Sequence, residues 1–175
     1  MSSSEPKRRV VLLGIAALAG CGFTPAYGPG GSAGTLADAV RVEAPGDRNS
    51  FAFVKQLELR LGQPSPARYA LDYDISIQQD GVGLTSAQET TRYNIVGSVT
   101  FTLKDIATDK VLTTGRVNTF TGYSVGTVDT TVTPPSTSST VSTRAAEQDA
   151  YDRLMVALAD QLVIRLIAAS GTWAR

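Results

Sequence analysis

An α+β fold is predicted, a two-layer sandwich in which two helices pack on one face of a four-stranded, mostly antiparallel (mixed) sheet. Three observations predict it. Long segments alternate between apolar and polar residues with the period of a strand. Two other segments carry a one-sided apolar stripe at helical spacing. The order is strand, helix, three strands, helix. Helix stripes and a sheet that are each apolar on one side bury those sides against one another, which leaves the far face of the sheet to solvent.

The 175 residues predict one such domain, 39–171, behind a leader. Lys7, Arg8 and Arg9 precede a short apolar run, Val10 to Leu18. That run is far below the about 20 residues a membrane-spanning helix needs, so 1–20 reads as an export signal. The Arg8-Arg9 pair leaves both the general and the twin-arginine route open. Leu18-Ala19-Gly20-Cys21 is similar to the bacterial lipobox, whose cysteine receives diacylglycerol before cleavage and an N-acyl chain, commonly palmitate, after it. Cys21 is the only cysteine, so no internal disulfide can form, and lipidation accounts for both its presence and its solitude. Two or more acyl chains anchor a protein stably. Gly22, where an Asp favours inner-membrane retention, resembles outer-membrane sorting. Residues 21–38, rich in Gly, Pro and small side chains, read as a lipidated tether, and 172–175 as a tail.

Within the domain, Ala39 to Glu43 alternates, with Val40 and Val42 on one face, and Pro45 and Gly46 end this strand. A helix is predicted from Ser50 to Leu61, capped by Asp47, Asn49 or Ser50. Phe53, Val54, Leu57 and Leu61 form its stripe, while Lys55, Glu58 and Arg60 face away. Gly62 stops it, and Pro64 and Pro66 prevent its resumption. The second strand carries Tyr69, Leu71, Tyr73, Ile75 and Ile77 on one face, with Asp72 and Asp74 on the other, and Asp80-Gly81 opens a turn into a long loop. The third alternates from Arg92 to Leu103 with Tyr93, Ile95, Gly97, Val99, Phe101 and Leu103 inward. A shorter turn, Lys104 to Lys110, leads to a more polar strand, Val111 to Tyr123, either an edge strand or one with a covered outer face. Thr127 to Thr143 is a Ser/Thr/Pro tract that reads as a loop. The closing helix is predicted from Thr143 to Ala169, capped by Ser142 or Thr143 and stopped by Gly171. Ala150, Leu154, Leu158, Leu162 and Leu166 form its stripe, broadened by Val156, Val163 and Ile167, and Asp160 points to solvent.

The residue inventory excludes much chemistry. There is no histidine and the one thiol is claimed by lipid, so neither a His/Cys zinc site nor a Ser-His or Cys-His nucleophile can be built. No Gly-rich phosphate loop opens either helix. Asp72 and Asp74 stand about 7 Å apart along one strand face, a spacing that permits acid–base work. Alternation alone demands polar residues there, and a solvated face is the preferred reading. No catalytic residue, metal or cofactor is therefore expected beyond the covalent lipid. Without 1–20 the chain keeps thirteen Lys and Arg against fifteen Asp and Glu, a net charge of −2, which argues against nucleic acid as a partner. Binding or assembly is the expected class.

Three stretches carry a family resemblance: Cys21-Gly22-Phe23-Thr24-Pro25-Ala26-Tyr27 at the lipidated start, Thr91-Arg92-Tyr93-Asn94-Ile95 opening a central strand, and Ala159-Asp160-Gln161-Leu162-Val163-Ile164-Arg165-Leu166 in the last helix. With the order of elements, they make the chain similar to the LptE family of LPS-assembly lipoproteins. The resemblance implies an outer-membrane lipoprotein facing the periplasm and a barrel lumen. It would plug the LPS-transport β-barrel LptD, assist its assembly, and take part in lipopolysaccharide insertion. It also implies basic residues for lipid A in the loops at one end of the sheet. Here the loops Gln79 to Thr91 and Thr127 to Thr143 hold no Lys or Arg, and the nearest candidates for LPS binding are Arg92, Lys104, Lys110 and Arg116. The alternatives are an accessory lipoprotein of a lipid-transport ABC system and a carboxylate-based envelope hydrolase using Asp72 and Asp74.

Overall fold

The computed structural model describes residues 31, 33–84, 90–125 and 137–173. The expected export signal and Cys21 lie outside the described residues, as do 127–136 of the Ser/Thr/Pro tract. The elements are β1 (Val40–Val42), α1 (Arg48–Leu61), β2 (Tyr69–Leu84), β3 (Thr90–Asp105), β4 (Val111–Ser124) and α2 (Thr137–Trp173). They form one four-stranded sheet in the order β1-β2-β3-β4. β1 runs parallel to β2, pairing Val40 with Tyr69, and the other neighbours are antiparallel. The sheet is therefore mixed, both helices pack on one face, and the predicted α+β sandwich is the observed one.

Local chemistry sets the ends of α1. Asp47 adopts an extended conformation and its Oδ1 accepts from the Ser50 amide at 2.8 Å, while the Asp47 amide donates to Ser50 Oγ at 2.9 Å. Of the three candidate caps, Asp47 is the cap and Ser50 completes the reciprocal box; Asn49 is already helical. Gly62 ends the helix at φ 80°, a backbone region that disfavours any side chain, and its amide still donates to Glu58 O at 2.8 Å. Phe53, Val54, Leu57 and Leu61 are all buried, as their spacing predicts.

The core lies between the helices and the inner sheet face. Leu71, Ile95, Val99 and Leu103 from the strands meet Leu154, Met155, Leu158, Leu162 and Leu166 from α2, all with no exposed surface. Gly97 sits beneath that contact. A Cβ there would fall 2.9 Å from Leu158 Cδ1 and 3.0 Å from Leu154 Cδ2, so the missing side chain is what lets α2 settle on β3. α1 spans about 21 Å and α2 about 55 Å at 1.5 Å per residue, and β2 about 53 Å at 3.3 Å per residue. β1 and α1 thus flank only the half of the sheet near Tyr69, and beyond it α2 covers the β2–β3–β4 arms alone.

Several predicted boundaries move. β2 does not turn at Asp80-Gly81: Asp80 pairs with Asn94 and Gly81 with Tyr93, and an irregular stretch carries the strand to Leu84. A local turn signal yields here to a long partner strand that satisfies the backbone groups. α2 begins at Thr137, inside the expected loop, so Ser142 and Thr143 are helical residues and not caps. Extending a formed helix gains one hydrogen bond per residue, which offsets the roughly 0.5 kcal/mol propensity penalty of each Ser or Thr. Gly171 does not stop α2, which continues to Trp173, whose ring packs edge-on against Tyr69 at 5.2 Å between centroids. The packed domain also begins earlier and ends later than 39–171. Leu36, assigned to the tether, is fully buried in the core, and Trp173 lies in the assigned tail. β4 is an edge strand, so of the two readings of its outer side the first holds.

Candidate functional site

Because both helices lie on one side, alternate residues of the three long strands form an open face. β2 contributes Asp72, Asp74, Ser76, Gln78 and Asp80; β3 contributes Arg92, Asn94, Val96, Ser98, Thr100, Thr102 and Lys104; β4 contributes Arg116, Asn118 and Phe120. Cross-strand partners tie this surface together. Lys104 Nζ donates to Asp72 Oδ2 at 2.7 Å, and that hydrogen bond with the neighbouring carboxylate charge raises the lysine pKa. Arg116 Nε of β4 donates to Thr100 Oγ1 of β3 at 3.3 Å, and within β2 Gln78 Nε2 donates to Asp80 Oδ1 at 3.2 Å. Asp72 is therefore half of a surface ion pair, and Asp74 stands exposed two residues along. Both carboxylates thus belong to the solvated polar face, Asp72 held by Lys104 and Asp74 open to solvent.

The four candidate cations do not converge. Arg92 and Lys104 stand at opposite ends of β3, about 40 Å apart at the usual rise. Lys110 lies in the exposed turn after Lys104, and Arg116 is midway along the edge strand. Only Lys104 and Lys110 share an end of the sheet.

Two features escaped the sequence reading. Val96 and Phe120 are directly paired on the open face and are 42 % and 73 % exposed, an apolar spot on an otherwise polar surface. The strand alternation of 111–124 places Phe120 outward and was the signal available. On the opposite side of the molecule, Asp160 is not a solvent-facing residue: its Oδ1 accepts from Gln56 Nε2 at 3.0 Å and Arg60 Nε at 2.9 Å, clasping α2 to α1. Burial alone would raise its pKa, but these two donors and the arginine charge outweigh that and lower it. Arg60, expected to face away, is the other half of this clasp. An open groove of about 940 Å³ runs beside it along the outer helix surface, lined by Phe51, Leu59, Lys55 and Val156 among others. Neither concave nor flat surface gathers three metal-ligating side chains among the described residues.

The family model described as LptE, lipopolysaccharide-assembly, matches residues 37–166. No curated protein matches the chain in sequence. Among solved structures, a lipoprotein of Caulobacter crescentus CB15 is similar at a TM-score of 0.60 and 20 % identity, covering 81 % of this chain and 99 % of its own. Lipoprotein B of Nitrosomonas europaea is similar at a TM-score of 0.56 and 11 % identity over 77 % of this chain and 85 % of its own. The minor lipoprotein of Acinetobacter baumannii is similar at 0.51 and 15 % identity over 74 % and 89 %. These likenesses establish the shared fold.

Proposed function

From the premise that the chain belongs to the LptE family of lipopolysaccharide assembly, we propose that it is an outer-membrane lipoprotein, anchored through Cys21, that plugs the LPS-transport barrel LptD and assists its assembly. The observation that carries this reading is the open sheet face. Its polar side chains suit the water-lined interior of a large barrel, while the helices are committed to the other side. The exposed Val96–Phe120 pair supplies an apolar anchor within that face. The scattered cations favour contact with the barrel wall as the main task. Direct lipopolysaccharide binding through Arg92, Lys104, Lys110 or Arg116 is the secondary one. No catalysis is proposed for Asp72 and Asp74.

A tagged chain recovered from detergent-solubilised outer membrane should bring with it one large β-barrel. A plug enclosed by barrel wall buries a large obligate-type interface, often 2,000 Å² or more, and salt screens buried contacts little. The complex should therefore survive moderate salt, and Phe120→Asp should weaken it. Depletion should lower both assembled barrel and surface lipopolysaccharide. Recovery with an inner-membrane ABC transporter, with lipopolysaccharide export unchanged, would replace this reading with the accessory-lipoprotein one.

A further inference from the structure

We propose that Gly22 to Gly30, a stretch outside the described residues, docks along the outer seam between α1 and α2, with Tyr27 against Leu59 and Phe23 against Phe51. The two helices run parallel along this seam. At one end Arg48 shares a hollow with Gln148 and Tyr151. At the other Leu61 shares one with Val163 and Ile167. Between them lies the open groove of about 940 Å³, to which Ala52 and Val156 also contribute. Phe51 and Leu59 stand outside the core stripe of α1 and are 61 % and 77 % exposed. Exposed apolar side chains that gather in one groove mark a docking surface, whereas scattered ones do not.

The place where the described chain starts selects the occupant. Ala33 and Gly34 line the hollow at the Leu61 end, beside Arg60. Gly31 is buried and its carbonyl accepts from the Gly34 amide at 3.0 Å, so the chain turns against the body here and does not leave it. From this point residues 22–30 reach about 28 Å at the 3.1 Å rise of an extended, proline-containing strand. The seam from Leu61 back to Arg48 is about 20 Å long at 1.5 Å per helical residue. In that form Phe23 and Tyr27 stand about 12 Å apart, and Phe51 and Leu59 are also about 12 Å apart along α1.

The chemistry of the two partners matches as well. The stretch 22–30 holds no charged residue, and Phe23, Pro25, Tyr27 and Pro29 are its large side chains. It covers apolar surface without bringing a charge to desolvate. Glu58 and Gln63, which share the groove with Leu59, offer acceptors to the Tyr27 hydroxyl. Pro25 and Pro29 favour the extended form before docking, which lowers the entropy lost on ordering. The seam lies on the helix side, away from the sheet face assigned to the barrel, so the docked stretch and the plug stand or fall separately.

The full-length chain in isolated membranes tests this. A short bismaleimide should join Tyr27→Cys to Leu59→Cys, and Phe23→Cys to Phe51→Cys, within one chain, as mass spectrometry of the linked peptides reads. The swapped pairs, Phe23→Cys with Leu59→Cys and Tyr27→Cys with Phe51→Cys, should link several-fold less. Leu59→Cys alone reports any link to an unmodified Cys21. Chymotrypsin should cut the wild type slowly at Phe23 and Tyr27. Leu59→Asp should speed that cut about tenfold, the equivalent of one lost leucine contact. Should Leu59→Asp perturb Trp173 emission, Tyr27→Ser replaces it, with faster cutting at Phe23 as the readout. Equal linking of matched and swapped pairs, cutting that these variants leave unchanged, or links from Leu59→Cys only to another protein would each overturn the proposal.

Discussion

Single side chains divide here into those that fill the core and those that fasten its surface. Leu158 has no exposed surface and touches the space left by Gly97. Leu158→Ala should cost about 2–5 kcal/mol, the usual range for a leucine cavity. Asp160→Ala loses two hydrogen bonds and a half-exposed ion pair and should cost about 1 kcal/mol, less than the leucine but more than a solvated aspartate. Denaturant titration followed by the emission of Trp173, the only tryptophan, measures both. Because Asp160 titrates below its unfolded value, its contribution is present above about pH 4 and is lost as pH falls through the lowered pKa. Asp47, held low first by the Ser50 amide, and Asp105, held low first by the Thr108 amide, act with the same sign. Asp160→Asn should therefore flatten the acid side of the stability curve, and an unchanged slope there would show that the clasp is not formed in solution. Cys21→Ala should leave the precursor unlipidated and uncut at this site, and mass spectrometry of the amino terminus reads that outcome.

Among the elements, α1 was the most legible in sequence, since cap, stripe and stop are written within the sixteen residues from Asp47 to Gly62. Its capping box gives a direct test: Asp47→Ala should cost about 1 kcal/mol, and Asp47→Asn much less, because asparagine caps nearly as well. The inner strand faces were equally legible, because alternation over Tyr69 to Ile77 and Tyr93 to Leu103 needs no tertiary information. Boundaries were not, where distant partners decide them. Nothing near Asp80-Gly81 announces that Asn94 and Tyr93 will keep the strand extended, and nothing near Gly171 announces that Tyr69 will hold Trp173. The open face followed from alternation, but its details did not. That Lys104 neutralises Asp72 depends on the β2–β3 register, and that Asp160 meets Arg60 depends on how two helices cross.

At the level of the molecule, the sandwich is unequal along its length, and that inequality has a kinetic meaning. Near Tyr69 the sheet has four strands and two helices above it. Toward Thr90 and Ser124 it has three strands and only α2. Opening the far half breaks fewer apolar contacts, so its free energy of local unfolding lies below that of the near half. Amide hydrogens along β3 should then exchange with deuterium in a gradient, slowest around Val99 to Leu103 and fastest around Tyr93 to Ile95, although Ile95 is as fully buried as Leu103. Uniform exchange along the strand would mean that the fold opens only as a whole. A graded one would give the protein a stiff root and a yielding tip, so that the end farthest from the first helix could adjust its shape while the root keeps the fold closed.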